Sequence, residues 1–279
     1  MKPFIMLLGL MLFAQCTRRT SDVQILSHGG MDREYLYYAP ENLPSNAPLV
    51  MVLHGYTGNA KHLQSYTRMN QVADDHGFAV VYPFGTKTPQ GNSYWNANLT
   101  YSPVNDVDFL TKLVQLLQSK HDLNPQKTFV CGMSNGGFMS YTLACEASET
   151  FSAMASVTGT MSGTDWASCQ PINPMPVLQI TGLSDGLVPL DGSITPGYGW
   201  DGAPHQDSIM QWWANLNGCT TRDSVFIPSA THAITYKGAS NGHEVWHYTI
   251  EDMGHEWPGT YYPYGTVASE VIWDFFSRF

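Results

Sequence analysis

The chain has 279 residues, 43% of them hydrophobic and 13% charged. So high an apolar share with so little charge excludes a disordered chain and is enough to bury a sizeable core. Its 13 Lys and Arg stand against 23 Asp and Glu, a formal net charge of −10. An acidic balance of that size excludes nucleic acid as a partner, because phosphate binding needs a basic surface.

The N-terminus reads as a targeting segment. Lys2 supplies a positive charge, and residues 4–14 (FIMLLGLMLFA) form an uncharged apolar run. That run is too short to span a bilayer but has the size of a signal-peptide core, so export is expected. Cys16 follows, then the polar stretch TRRTS. A Cys at this place resembles the lipid-modified Cys of bacterial lipoproteins, although Gln15 departs from the small residue that usually precedes it. The expectation is a leader and tether over residues 1–21, with membrane attachment through a lipidated Cys16 left open, and one domain over residues 22–279.

Residues 34–39 (EYLYYA) alternate up to Pro40 and predict an early strand. Residues 48–53 (PLVMVL) and 78–82 (FAVVY) are continuous apolar runs, the pattern of strands buried on both faces. Between them, residues 62–76 predict a helix ending at Gly77. Residues 106–121 carry Val107, Leu110, Leu113, Val114 and Leu117 on one stripe, so they predict an amphipathic helix whose Asp106 and Asp108 are first-turn charges. A strand at 128–131, a helix at 138–147, a strand at 177–181, a helix at 209–216, a strand at 244–250 and a helix at 268–279 complete the series. Alternation of this kind predicts a mostly parallel sheet with helices on both faces. The irregular, Gly- and Pro-rich segment 190–206 reads as a loop over an active face.

The strongest chemical signal is Gly132-Met133-Ser134-Asn135-Gly136-Gly137, lying directly between a buried strand and a helix. This is G-x-S-x-G in the context that gives it meaning: a sharp turn that exposes a serine hydroxyl and aims the next backbone N–H at a developing oxyanion. An alcohol needs a base and an orienting acid. In this architecture they follow in the order Ser, acid, His. Asp185 comes just after the strand at 177–181, and His255 just after the strand at 244–250. Both occupy strand-end loops, where a parallel sheet gathers its functional groups. Asp165, Asp191, Asp201, His232, His243 and His247 are the weaker competitors. His54 reads as a loop brace, Tyr56 and Asn135 as the backbone oxyanion donors, and Thr57 as the fallback for Tyr56.

Trp257, Trp95 and Trp200 (with Tyr198) are candidate walls of an acyl or sugar pocket. No two histidines or carboxylates share a ligand spacing on one helix, so neither a metal nor another cofactor is expected. Four cysteines remain after the leader and allow three pairings. Cys131 lies in an apolar run and reads as a buried thiol, Cys145–Cys169 is the expected bridge, and Cys219 is left without a clear partner.

At LHGYTGNA, DVDFL, GMSNGG, ITGLSDGLVP and GHEWPG the chain resembles the polyhydroxybutyrate depolymerase and feruloyl esterase group within family 1 of the carbohydrate esterases. These pieces run from about residue 49 to residue 259. The resemblance implies an α/β-hydrolase fold, export and hydrolysis of carboxylic esters on polymers or their fragments. It carries Ser134, Asp185 and His255 over as the triad and Tyr56 and Asn135 as oxyanion donors. The sequence departs from many members in having Gly-Leu-Ser before Asp185, and in the length of segment 190–206. Feruloyl or acetyl esters of plant polysaccharide are the expected substrates, with a polyhydroxyalkanoate depolymerase as the alternative. A serine peptidase of the same fold and a non-catalytic glycan-binding surface protein are more distant readings.

Overall fold

The computed structural model describes residues 22–99, 102–193, 202–259 and 264–279. The chain starts with β1 (Val23–His28), β2 (Met31–Tyr38) and β3 (Ala47–Leu53), followed by α1 (Ala60–Thr67), α2 (Met69–His76) and β4 (Ala79–Pro83). A small hairpin, β5 (Thr86–Lys87) and β6 (Ser93–Tyr94), precedes α3 (Asp106–His121), β7 (Leu123–Met133), α4 (Asn135–Glu146), β8 (Ala153–Val157) and α5 (Gly163–Ser168). The remainder is β9 (Val177–Gly182), α6 (Gln206–Leu216), β10 (Thr221–Ile227), β11 (Thr231–Lys237), β12 (Val245–Ile250) and α7 (Ala268–Phe276).

Ten strands form one sheet in the order β1-β2-β4-β3-β7-β8-β9-β12-β11-β10. From β4 to β12 neighbouring strands are parallel, and antiparallel strands close both edges. Alternation along each buried strand divides the core. In β3, Leu49, Met51 and Leu53 pack with α3, α4 and α6, whereas Val50 and Val52 pack on the opposite face with α1, α2 and α7. The register aligns the carboxyl ends: Leu53 pairs with Gly132, Met133 with Val157, Val157 with Ile180, and Ile250 with Gly182. Segments that follow β3, β7, β9 and β12 therefore emerge along one edge.

Several expectations change. The helix expected at 62–76 is two helices, broken at Arg68, whose φ is 56°. Gly77 does terminate the second, at φ 75°. Strands β1, β8, β10 and β11 were not expected. Asp106 is more than a first-turn charge: it is buried, and its Oδ1 accepts from Arg33 Nη2 at 2.6 Å while Oδ2 accepts from the Asn96 N–H at 2.8 Å. Cys145 and Cys169 are bridged, Cys131 is a buried free thiol and Cys219 a half-buried one. Among the described residues no helix is long and apolar enough to cross a membrane. Cys16 lies outside them.

Candidate active site

Ser134 lies between β7 and α4, capping the helix with φ 53° and ψ −121°, a region that non-glycine residues avoid and that costs about 1–3 kcal/mol. The turn closes only because its flanking residues lack side chains. A Cβ on Gly132 would lie 2.3 Å from the Gly136 carbonyl, and one on Gly136 would lie 2.2 Å from the Leu53 carbonyl oxygen. The second approach presses the start of α4 against the end of β3, so Gly55 comes to rest beside the Ser134 side chain.

Asp185 and His255 are brought together by the next two strand ends. A Cβ on Gly182 would lie 2.3 Å from the Met253 carbonyl oxygen, so glycine there permits the loops after β9 and β12 to touch. The Ser184 N–H donates to the Met253 carbonyl at 3.0 Å. Asp185 Oδ1 accepts from the N–H groups of Leu187 and Val188, each at 2.9 Å. Its Oδ2 is 2.8 Å from His255 Nδ1, and the carboxylate is fully buried. His255 Nδ1 therefore carries the proton, which leaves Nε2 as the basic nitrogen. Ser134 and His255 line the same cavity of about 290 Å3, together with Gly55, Tyr56, Leu63, Tyr66 and Met133. Among the described residues no hydrogen bond joins the Ser134 hydroxyl to His255; such contacts commonly tighten only with substrate bound.

The segment after β3 is braced from several sides. His54 is buried; its Nδ1 donates to the Gly55 carbonyl at 2.8 Å and its Nε2 accepts from the Gly85 N–H at 2.9 Å. Burial holds this imidazole below its ordinary pKa, against the smaller opposite pull of the Gly55 carbonyl. The Thr57 N–H is committed to the Ser93 carbonyl at 2.8 Å, which removes the fallback donor. Among the described residues the Tyr56 N–H has no such acceptor, and the Asn135 N–H, first in α4, has none within its helix. The Asn135 amide instead clasps Trp95: Oδ1 accepts from the Trp95 N–H at 2.7 Å, and Nδ2 donates to its carbonyl at 3.2 Å.

The aromatic expectations need correction. Trp95 is 1% exposed and donates Nε1–H to the His54 carbonyl at 2.9 Å, so it braces the site from within. Trp257 is 2% exposed, with its indole N–H on Ser269 Oγ at 3.2 Å. Neither forms the cavity wall. Trp200, Tyr198 and Asp201 lie outside the described residues. The wall residues that the sequence reading passed over, Leu63 and Tyr66, share one side of α1 at a spacing of three, which is a readable signal.

The competing groups are placed elsewhere. His232 stacks on Phe226, His243 Nδ1 contacts Asn217 Oδ1 at 2.8 Å, and buried His247 lies 3.3 Å from Asp207. Asp165 is buried and accepts from Asn98 Nδ2 and from the Thr142 hydroxyl, each at 2.8 Å. Burial pushes its carboxyl up to about 6 despite those bonds. Among the described residues no group of three or more His, Cys, Asp or Glu could hold a metal ion.

The sheet and the gathered strand ends have the architecture of the α/β-hydrolases. The acetyl xylan esterase from Aspergillus awamori superposes over 92% of this chain and 100% of its own with a TM-score of 0.66 at 16% identity, a likeness of fold. By sequence, residues 33–204 match the family described as Esterase PHB depolymerase, and the chain belongs to that family of carboxylic ester hydrolases. It is 30% identical over 255 residues to NocK of Nocardia uniformis subsp. tsuyamanensis, described as an esterase, covering 84% of this chain and 73% of that one. It is 26% identical to feruloyl esterase B of Piromyces equi over 84% of this chain but only 42% of that protein. With acetylxylan esterase A of Talaromyces purpureogenus it shares 30% identity over 47% of this chain and 35% of the other.

Proposed function

We propose that this chain is an exported serine esterase that cleaves feruloyl or acetyl esters of plant polysaccharide through Ser134, His255 and Asp185. The observation that carries the reading is the 2.8 Å bond between His255 Nδ1 and a buried, fully hydrogen-bonded Asp185, on the same cavity as a strained Ser134. The catalytic unit is residues 22–279, behind a leader of residues 1–21. Export is supported by that apolar leader and by the Cys145–Cys169 bridge, since disulfides persist in oxidising compartments. The relatives described as feruloyl and acetylxylan esterases support the choice of substrate.

Ser134 Oγ attacks the ester carbonyl carbon as its proton passes to His255 Nε2. Asp185 keeps the ring in the required tautomer and stabilises the imidazolium, remaining ionised itself. The oxyanion is received by the N–H groups of Tyr56 and Asn135, and losing one such donor costs about 10²–10³ in turnover. Collapse breaks the bond to the alkoxide, which takes the proton from His255 and leaves as the alcohol. Water then attacks the acyl-enzyme, giving one proton to His255. Release of the acid returns that proton to Ser134.

Hydrolysis of p-nitrophenyl acetate by the native chain, lost in Ser134→Ala, is the expected result; undiminished hydrolysis by the variant overturns the reading. The family description favours one second reading, a depolymerase of hydroxyalkanoate polyesters. Methyl ferulate, acetylated xylan and polyhydroxybutyrate film offered to one enzyme sample separate the two. Preferential release of acid from the film reverses the order.

A further inference from the structure

His255 is held at its ring by Asp185, but something must also hold the loop that carries it. After β12 the chain runs through Met253 to Gly259; it is fixed upstream where the Met253 carbonyl accepts from the Ser184 N–H, and its other anchors lie just downstream of His255. The backbone N–H of Trp257, two residues on, donates to the Tyr66 hydroxyl at 3.0 Å. The Trp257 indole N–H donates to Ser269 Oγ, which donates in turn to the Thr67 carbonyl at 2.6 Å. Pro258 accepts from the Ala268 N–H at 2.8 Å. The end of α1 and the start of α7 thus clamp the segment that follows the base, and buried Trp257 is the piece they grip.

Tyr66 differs from the other members of this clamp because it also faces the site. It lines the cavity that Ser134 and His255 share, and its ring lies 5.5 Å from that of His62 at an angle of 25°. One side chain therefore touches both the space a substrate occupies and the loop that carries the base. We infer that Tyr66 is a positioning residue for His255 through its hydroxyl and a substrate-contacting wall through its ring. The inference rests on the reading of Ser134 and His255 above.

The two roles separate by substitution. Tyr66→Phe keeps the ring and leaves the Trp257 N–H without its acceptor, so the loop loses one fixed point while the wall is unchanged. Misplacement of a reacting group by about 1 Å costs on the order of 10²-fold in rate. With p-nitrophenyl acetate, and with rates normalised to active sites by titration with an organophosphate, Tyr66→Phe is expected to lower kcat by about 10- to 100-fold. KM stays within about twofold. Tyr66→Ala also raises KM. The downfield proton resonance of the His255–Asp185 hydrogen bond shifts or broadens in Tyr66→Phe. A Tyr66→Phe enzyme with native kcat per active site and an unmoved resonance overturns the inference, even if its Tm falls, because that pattern belongs to a packing role alone. Ser134→Ala run alongside keeps the failures apart: retained activity there sinks the esterase mechanism, whatever Tyr66 does.

Discussion

At Asp185 each carboxylate oxygen has a separate task. Oδ1 takes two backbone N–H groups and so fixes the plane of the carboxylate, leaving Oδ2 for His255. Asp185→Asn keeps the shape but offers an amide that can force the wrong imidazole tautomer, so kcat is expected to fall by roughly 10³–10⁴ with little change in KM. Steady-state kinetics check this, and a loss under tenfold would place the acid elsewhere. Asp165 is a different kind of carboxylate. Its folded-state carboxyl is pushed up to about 6 from 3.8 by burial, so ionisation is costlier in the folded chain than in the unfolded one. The associated stability is present below about pH 4 and is lost as pH rises through 6, about 3 kcal/mol in all. Asp165→Asn removes that titration. Urea midpoints measured from pH 4 to 7 should show the variant gaining on the native chain as pH rises; a constant offset contradicts the sign.

Among the elements, the elbow between β7 and α4 is set by contact with β3. Gly136→Ala puts a methyl group 2.2 Å from a backbone oxygen that no side-chain rotation can move. Overpacking of this kind costs about 1–3 kcal/mol, and here it also shifts the first turn of α4 and hence the Asn135 N–H. A lower urea midpoint together with lower kcat is expected; native activity would mean that the elbow tolerates displacement. The Cys145–Cys169 bridge ties the end of α4 to α5 across a separation of 24 residues. Its removal by the double Ser variant is expected to cost about 3 kcal/mol, mostly through the unfolded chain. Thermal melts of both forms measure it, and equal Tm values would show that the bridge adds nothing.

Over the whole molecule, what could be read from the sequence depended on how local its cause was. The buried parallel strands were legible because they are continuous apolar runs, and the elbow because its glycines and serine sit between a strand and a helix. Strand β8 (AMASV) was not, since Val157 is its one β-branched residue and all five positions are buried, which leaves no alternation to read. Strand β10 is exposed along nearly its whole length and shows no alternation. The break at Arg68 has no Gly or Pro to mark it. Side-chain partners were the least legible. Asp106 looked like a helix-end charge until Arg33, far upstream, closed on it, and Trp95 and Trp257 looked like pocket walls although the fold buries both. Ser134, Asp185 and His255 nonetheless come to one sheet edge, because each follows the carboxyl end of a parallel strand whose register is aligned with its neighbours.

Every role proposed at the site depends on Ser134 becoming acylated with His255 as its base. The most direct measurement is mass spectrometry of peptides from the chain after brief exposure to a fluorophosphonate. One adduct is expected, on the peptide containing Ser134, with labelling at least about 100-fold slower in His255→Ala. An adduct on another residue, or equal labelling rates in the two proteins, would contradict it.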